Sequence, residues 1–240
     1  MPSADAFDAI LFDLDGVLTP TADIHQQAWK TMFDEFLVPR GLLPFSDDDY
    51  LRYVDGRPRF DGVRTFLASR DITLPEGAPT DPPGQGSVSA LGNRKNDVFL
   101  EILRRDGIRP YPGSLRFLDH VEGEGKHVAV VSSSRNAREV LDAAGLTPRF
   151  GVVTDGLVAA DEHIPGKPAP DMFLNAARRL GVEPGRAVVI EDAVSGVAAG
   201  HAGHFGLVVG VDRGAGHDAL REHGADVVVA DLAELLEGTP

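Results

Sequence analysis

The chain has 240 residues, 42% of them hydrophobic and 25% charged, and 37 acidic against 23 basic side chains leave a formal charge of −14 at pH 7. That length suits one large α/β domain or a core of about 150 residues with a smaller companion. The composition excludes a disordered or fibrous chain, and the net charge opposes non-specific attraction to nucleic acid or an anionic membrane. The absence of cysteine removes disulfides, thiolate catalysis and thiolate metal sites. Asp5, Asp8, Asp13 and Asp15 interrupt the first twenty residues and no long apolar run follows. Neither secretion nor membrane spanning is therefore expected, and the cytoplasm is the default location.

In chain order, residues 6–13 (AFDAILFD) read as a buried strand. A long helix around Asp23–Leu37 follows, then the acidic run Asp47–Asp49 as a solvated helix start, a short helix around Asp61–Ser69, and a Pro/Gly-rich stretch at 75–86 read as a flexible connection. From residue 104 the pattern changes. Val- and Ile-rich strands at 127–132, 186–192, 205–211 and 225–231 alternate with helical spacing at 114–122, 136–144, 170–180, 194–200 and 215–223. Such alternation implies right-handed crossovers and a doubly wound parallel sheet. The expected organisation is an α/β core of residues 1–20 and 104–240, with residues 21–103 inserted as a mainly helical second domain.

The chemistry concentrates in LFDLDGVLT, residues 11–19. A strand ending in Asp13, with Asp15 two residues on and Gly16 at the turn, sets two carboxylates at the carboxyl end of a strand, where open α/β sheets build their sites. One aspartate can attack phosphorus, giving an aspartyl-phosphate, while the other protonates a leaving oxygen or deprotonates the incoming one. Three further sets fall at comparable places: Ser132 after one strand, Lys167 before a helix, and Glu191 with Asp192 after another strand. Asp13 and Asp192 together can hold a hard cation, and Mg²⁺ suits a carboxylate pair that meets a phosphate. Lys167 and the Ser132 hydroxyl would grip phosphoryl oxygens.

In order and spacing these four sets resemble the haloacid dehalogenase superfamily of phosphotransferases. DLDGVLTPTADIHQQAWK, RKND at 94–97, SSSRN at 132–136, GKPAPD and IEDAVSG look most like its β-phosphoglucomutases and their phosphatase relatives. The resemblance implies a Rossmann-like core with a helical cap, Asp13 as nucleophile and Asp15 as general acid and base. It implies Mg²⁺ on Asp13, the Asp15 carbonyl and Asp192, with Glu191 at or just outside that shell, and phosphate on Ser132 and Lys167. It also implies Thr21 and His25 as hinge residues, and Arg59, Lys95, Asn96, Ser133, Arg135 and Asn136 as substrate contacts, with Arg57 a weaker candidate and Trp29 as cap core. Two positions depart from the family: Pro20 replaces an acidic residue, and Asp55 stands where the mutases carry a cap lysine.

The leading expectation is a monomeric Mg²⁺-dependent enzyme acting on a small phosphorylated sugar, converting β-glucose 1-phosphate to glucose 6-phosphate through the 1,6-bisphosphate. A phosphatase that lets water complete the second step is its nearest rival. A phosphoaspartate receiver is disfavoured by length and by Asp15. His201 and His204 lack a carboxylate partner for a metal, and Gly214-Ala215-Gly216 reads as a turn, lacking the third glycine of a dinucleotide fingerprint.

Overall fold

The computed structural model describes residues 6–54 and 57–236. In chain order its main elements are β1 (Ala9–Phe12), α1 (Thr21–Leu37), α2 (Asp47–Asp49), α3 (Arg59–Ser69), α4 (Val88–Asp106), α5 (Pro112–Gly123), β2 (His127–Val131), α6 (Ala137–Ala143), β3 (Val152–Thr154), α7 (Gly156–Asp161), α8 (Asp171–Leu180), β4 (Ala187–Glu191), α9 (Val194–Ala202), β5 (Leu207–Val211), α10 (His217–Glu222) and β6 (Val227–Val229). The chain divides into two compact units. One joins the residues up to Thr21 with those from Ile108 onward, and the other is Ala22–Gly107.

The first unit is an α/β structure with a parallel sheet in the order β3-β2-β1-β4-β5-β6, flanked by helices. The chain leaves β1 toward β2 and β3 on one side and returns to β4, β5 and β6 on the other. The point where the direction reverses therefore lies between β1 and β4, and a doubly wound sheet opens a crevice there at its carboxyl end. Register fixes what meets at that point. Phe12 pairs with Val130 of β2 and with Ile190 of β4, so Asp13, the next residue, comes level with Val131 and Glu191. β1, β4 and β5 are buried along their whole length, and Leu11, Ala129, Val131, Phe173, Val189 and Val208 are among the core that fixes them.

Strand β3 was not among the expected strands. It is a three-residue edge strand, closed off by Asp155, whose side chain caps α7; so short a run carries little periodic signal.

The second unit is helical. Trp29, Met32, Phe33, Phe36 and Leu37 form the inward stripe of α1, packed with Phe45, Val63, Phe66 and Leu91. The stacked and tilted rings of Phe33, Phe45 and Phe66 lie 4.1–5.0 Å apart. Helix α4, 19 residues long, is absent from the sequence expectations because its buried stripe of Leu91, Lys95, Val98, Phe99 and Ile102 passes through a lysine, which breaks the apolar period.

Two other expectations change. The acidic run at 47–49 does begin a helix, but Asp49 is buried: its carboxylate closes a capping box with Ser46 and pairs with Arg70 at 2.7 Å. The stretch at 75–86 is tied down instead of loose. The carbonyls of Pro75 and Glu76 accept from the amides of Val88 and Ser89, Ser87 donates to Asp81, and Asn93 donates to the carbonyls of Pro79 and Asp81.

Candidate active site

The turn after β1 is held by its apolar residues so that its polar ones are free to act. Leu14, Val17 and Leu18 are fully buried. The Leu14 carbonyl accepts from the amides of Leu18 and Thr19 and from the Thr19 hydroxyl, and the Gly16 amide donates to the Thr19 carbonyl. Gly16 sits at φ +79°, and a Cβ there would lie 1.9 Å from an Asp192 oxygen. Only glycine both adopts that conformation cheaply and allows the turn to lie against Asp192.

Asp13 and Asp15 alternate along this turn and meet different partners. Lys167 Nζ lies 2.5 Å from Asp13 Oδ1, 2.5 Å from Glu191 Oε1 and 2.9 Å from the Val131 carbonyl. The lysine side chain is only 5% exposed. Asp15 accepts from the Thr21 hydroxyl at 2.5 Å and from the Ser132 hydroxyl at 3.2 Å. Ser132 Oγ in turn accepts from the Ser134 amide, and Ser134 Oγ accepts from the amide of Asn136 at the start of α6. Ser133 and Arg135, on the same loop, are exposed.

Burial dominates the proton affinities. Desolvation raises Asp13 well above the ordinary carboxylate range, with Lys167 opposing it and Glu191, Asp15 and Asp192 reinforcing it. Asp15 is likewise raised by desolvation, partly offset by its bonds from Thr21 and Ser132. Asp192 is pushed up to about 7 by desolvation and by the charges of Glu191 and Asp15. Desolvation alone would lower Lys167, but Asp13 and Glu191 outweigh it and raise its proton affinity above that of a free lysine.

Asp13, Glu191 and Asp192 offer carboxylate oxygens that all lie within 4.8 Å of one another, the one acidic or histidine group among the described residues arranged to hold a metal. Hard oxygen donors of this kind fit a hard divalent cation. Glu191 is heavily engaged already: one oxygen meets Lys167 and the other accepts from the Ala193 amide at 3.0 Å.

Two supports of this cluster have no counterpart in the sequence reading. A Cβ at Gly196 of α9 would stand 1.7 Å from Glu191 Oε1, so that glycine makes room for the Glu191 carboxylate; the glycine of IEDAVSG was the available signal. On the other side Asp155 accepts from the amides of Leu157 and Val158 and from Arg138, and the adjacent Gly156 amide donates to the Ser134 carbonyl. That pairing joins residues far apart in sequence and leaves no local pattern.

The remaining candidates lie in the helical unit. Thr21, at the head of α1, belongs by its contacts to the sheet unit. Lys95 is buried, with Nζ 2.6 Å from His25 Nδ1 and 5.2 Å from the ring centres of Trp29 and Phe99. The His25 ring stacks on Phe99 at 4.4 Å. Desolvation and the Lys95 charge hold His25 well below the ordinary imidazole value, so at neutral pH Nδ1 accepts from the lysine. Trp29 packs in the core and stacks on Phe33. The Arg59 guanidinium lies over Phe60 at 5.1 Å, Asn96 is partly buried on α4 and Arg57 is exposed; Asp55 lies outside the described residues. His201 and His204, both exposed, close α9 and take part in no metal grouping. No helix among the described residues is long and apolar enough to cross a membrane.

Residues 7–204 match the haloacid dehalogenase-like hydrolase family model. The chain is 54% identical over 238 residues to a β-phosphoglucomutase of Mycobacterium bovis, covering 95% of this chain and 91% of that one. It is 32% identical over 228 residues to a β-phosphoglucomutase of Bacillus subtilis, with the same coverage. Among solved structures, a haloacid dehalogenase family hydrolase of Deinococcus radiodurans with bound phosphate and sodium superposes with a TM-score of 0.71 at 33% identity, over 96% of this chain and 93% of that one. These similarities mark an enzyme of the phosphoglucomutase and phosphatase type. With a doubly wound parallel sheet and an aspartate pair on the turn after β1, the chain belongs to the haloacid dehalogenase-like hydrolase family.

Proposed function

We propose that this protein is a cytoplasmic, Mg²⁺-dependent β-phosphoglucomutase that interconverts β-glucose 1-phosphate and glucose 6-phosphate through an aspartyl-phosphate. The observation that carries the reading is the division of labour between Asp13 and Asp15. Burial raises both carboxyls, and their partners separate them: Asp13 is ion-paired to Lys167, as suits a nucleophile, whereas Asp15 accepts from two neutral hydroxyls, as suits a proton carrier.

Phosphorylated Asp13 passes its phosphoryl group to the C6 hydroxyl of β-glucose 1-phosphate while the Asp15 carboxylate takes the hydroxyl proton. The 1,6-bisphosphate then presents its other end. The Asp13 carboxylate attacks the C1 phosphorus, the bond from phosphorus to the C1 oxygen breaks, and Asp15 returns its proton to that oxygen. Glucose 6-phosphate leaves and the phosphoenzyme is restored. Lys167 and Ser132 neutralise and orient phosphoryl oxygens.

Mg²⁺ on Asp13, Asp192 and the Asp15 carbonyl, when bound, neutralises charge on the transferring group. Glu191, occupied by Lys167 and the Ala193 amide, supports those ligands from just outside. Thr21 and His25 act as hinge residues, and Arg59, Lys95, Asn96, Ser133, Arg135 and Asn136 recognise the sugar and its second phosphate.

The test is incubation with Mg²⁺, β-glucose 1-phosphate and a trace of glucose 1,6-bisphosphate, following glucose 6-phosphate and inorganic phosphate together. Glucose 6-phosphate without comparable phosphate release is expected; phosphate release alone would make the protein a phosphatase. Asp13→Asn is expected to form no phosphoenzyme and to lose at least about 10³-fold in kcat. Asp15→Asn is expected to form one that turns over poorly, and wild-type activity in either variant would overturn the roles assigned.

A further inference from the structure

We propose that Arg213 is a positioning residue of the catalytic turn, clamping the Gly16 peptide so that Asp15 stays in register with Asp13. The proposal rests on the reading of Asp15 as the proton carrier. Arg213 follows β5 by two residues. Its Nε donates to the Gly16 carbonyl at 3.1 Å and its Nη1 to the Ala230 carbonyl at 2.9 Å, while Nη2 lies 3.5 Å from Asp231. The guanidinium carbon is 3.9 Å from the centre of the Tyr111 ring. One planar cation thus ties together the turn after β1, the segment after β6 and the start of α5. Arginine alone supplies several donors in a fixed plane whose face can rest on an aromatic ring.

The need for such a clamp follows from Gly16. The close approach to Asp192 demands a residue without a Cβ, and glycine is the residue with the greatest backbone freedom. The turn is therefore softest immediately after Asp15. Its amide side is fixed by the Thr19 carbonyl, and Arg213 fixes the carbonyl side. Further along, Tyr111 and Ser114 donate to the carbonyls of Leu18 and Val17 at 3.0 and 2.6 Å, so the ring beneath the guanidinium belongs to the same brace.

The loop that presents Arg213 is itself rigidly made. Asp212 donates its amide to Val229, and its Oδ1 accepts from the amides of Gly214 and Gly216, each at 3.0 Å. The Gly214-Ala215-Gly216 run thus wraps the carboxylate of the residue next to Arg213.

The experiment compares wild type with Arg213→Met, Arg213→Gln and Arg213→Lys. It measures kcat and KM for β-glucose 1-phosphate, Tm, and hydrogen exchange of a peptide spanning residues 13–19. Arg213→Met and Arg213→Gln are expected to lower kcat by about 10- to 100-fold, the scale of a sub-ångström to ångström misplacement, with KM within about two-fold. Exchange in 13–19 should accelerate while that of the β4 strand stays as in wild type. Arg213→Lys, which keeps the charge but has a single donor atom in place of the planar fork, should recover part of the loss. Wild-type kcat together with wild-type exchange in either neutral variant overturns the proposal. So does a loss matched by faster exchange throughout the sheet, which would mean a general fold defect. Should Arg213→Met not fold, Arg213→Gln decides. Exchange needs no substrate, so a wild type inactive on β-glucose 1-phosphate would count against the function proposed above and leave the clamp still testable.

Discussion

Each unit buries a lysine, and the two are handled in opposite ways. In the sheet unit Lys167 lies between the carboxylates of Asp13 and Glu191, and around it protons are held tightly: Asp15, Asp192 and Lys167 itself are all raised. In the helical unit Lys95 rests against His25 and over the faces of Trp29 and Phe99, and the neighbouring imidazole is stripped of its proton. Burial acts in both places. It disfavours whichever form carries charge, and the sign of the nearest charge decides whether that push is opposed or reinforced. Carboxylates buried together keep their protons although the lysine among them pulls the other way, whereas a buried lysine beside a histidine reinforces burial and keeps the histidine neutral.

The largest way to break this contrast is Lys167→Met. It leaves Asp13 and Glu191 buried without their cation, and removing one partner of such a pair costs about 3–5 kcal/mol. Urea unfolding near pH 7 should show that loss, and it should shrink as pH falls and the carboxylates take up protons. An unchanged midpoint would mean the carboxylates find another partner.

An intermediate effect is expected at Asp49, a buried charge of the helical unit that does have an opposite one beside it. Desolvation would raise its pKa, but the Ser46 amide and hydroxyl and the Arg70 guanidinium outweigh that and lower it. A carboxylate held below its unfolded value stabilises the fold above the unfolded pKa of about 3.9, and that contribution is lost as pH falls through the lower folded value. Asp49→Asn should cost about 1 kcal/mol at pH 7, and melting curves of variant and wild type should begin to approach each other below about pH 4 and converge only as pH falls through the lower folded value. Divergence at low pH would reverse the sign argued here.

The smallest change in stability is expected from Lys95→Met, under about 1 kcal/mol because a thioether also packs well on aromatic faces. Its signature is a titration. Without the Lys95 charge the His25 pKa should rise, yet remain below the ordinary value because desolvation persists, and NMR of the imidazole carbons would follow it. An unmoved His25 would show that burial acts without the lysine.

Much of the candidate site is legible along the chain because its members fall at strand ends or in the segment just before a helix. Asp13, Ser132 and Glu191 are the first polar residues after apolar runs, with Asp192 next to Glu191, and such a boundary is a local pattern. Lys95 is the opposite case. A charged residue in the middle of the buried stripe of α4 hides the helix from any apolar period, and its burial makes sense only once Trp29, His25 and Phe99 stand around it. Asp49 reads as solvated for the same reason, since Arg70 is 21 residues away.

The sequence by itself determined the alternation of strands and helices, the carboxylates at the strand ends and the family they resemble, because periodicity and strand boundaries are properties of neighbouring residues. Tertiary structure alone decided which charges are paired and how tightly protons are held. Lys167 meets Asp13 across 154 residues, Ser132 meets Asp15 across 117, and Arg213 meets Gly16 across 197. Proton affinity depends on burial and on the sign of the nearest charge, and both are set only when the sheet brings those distant segments together.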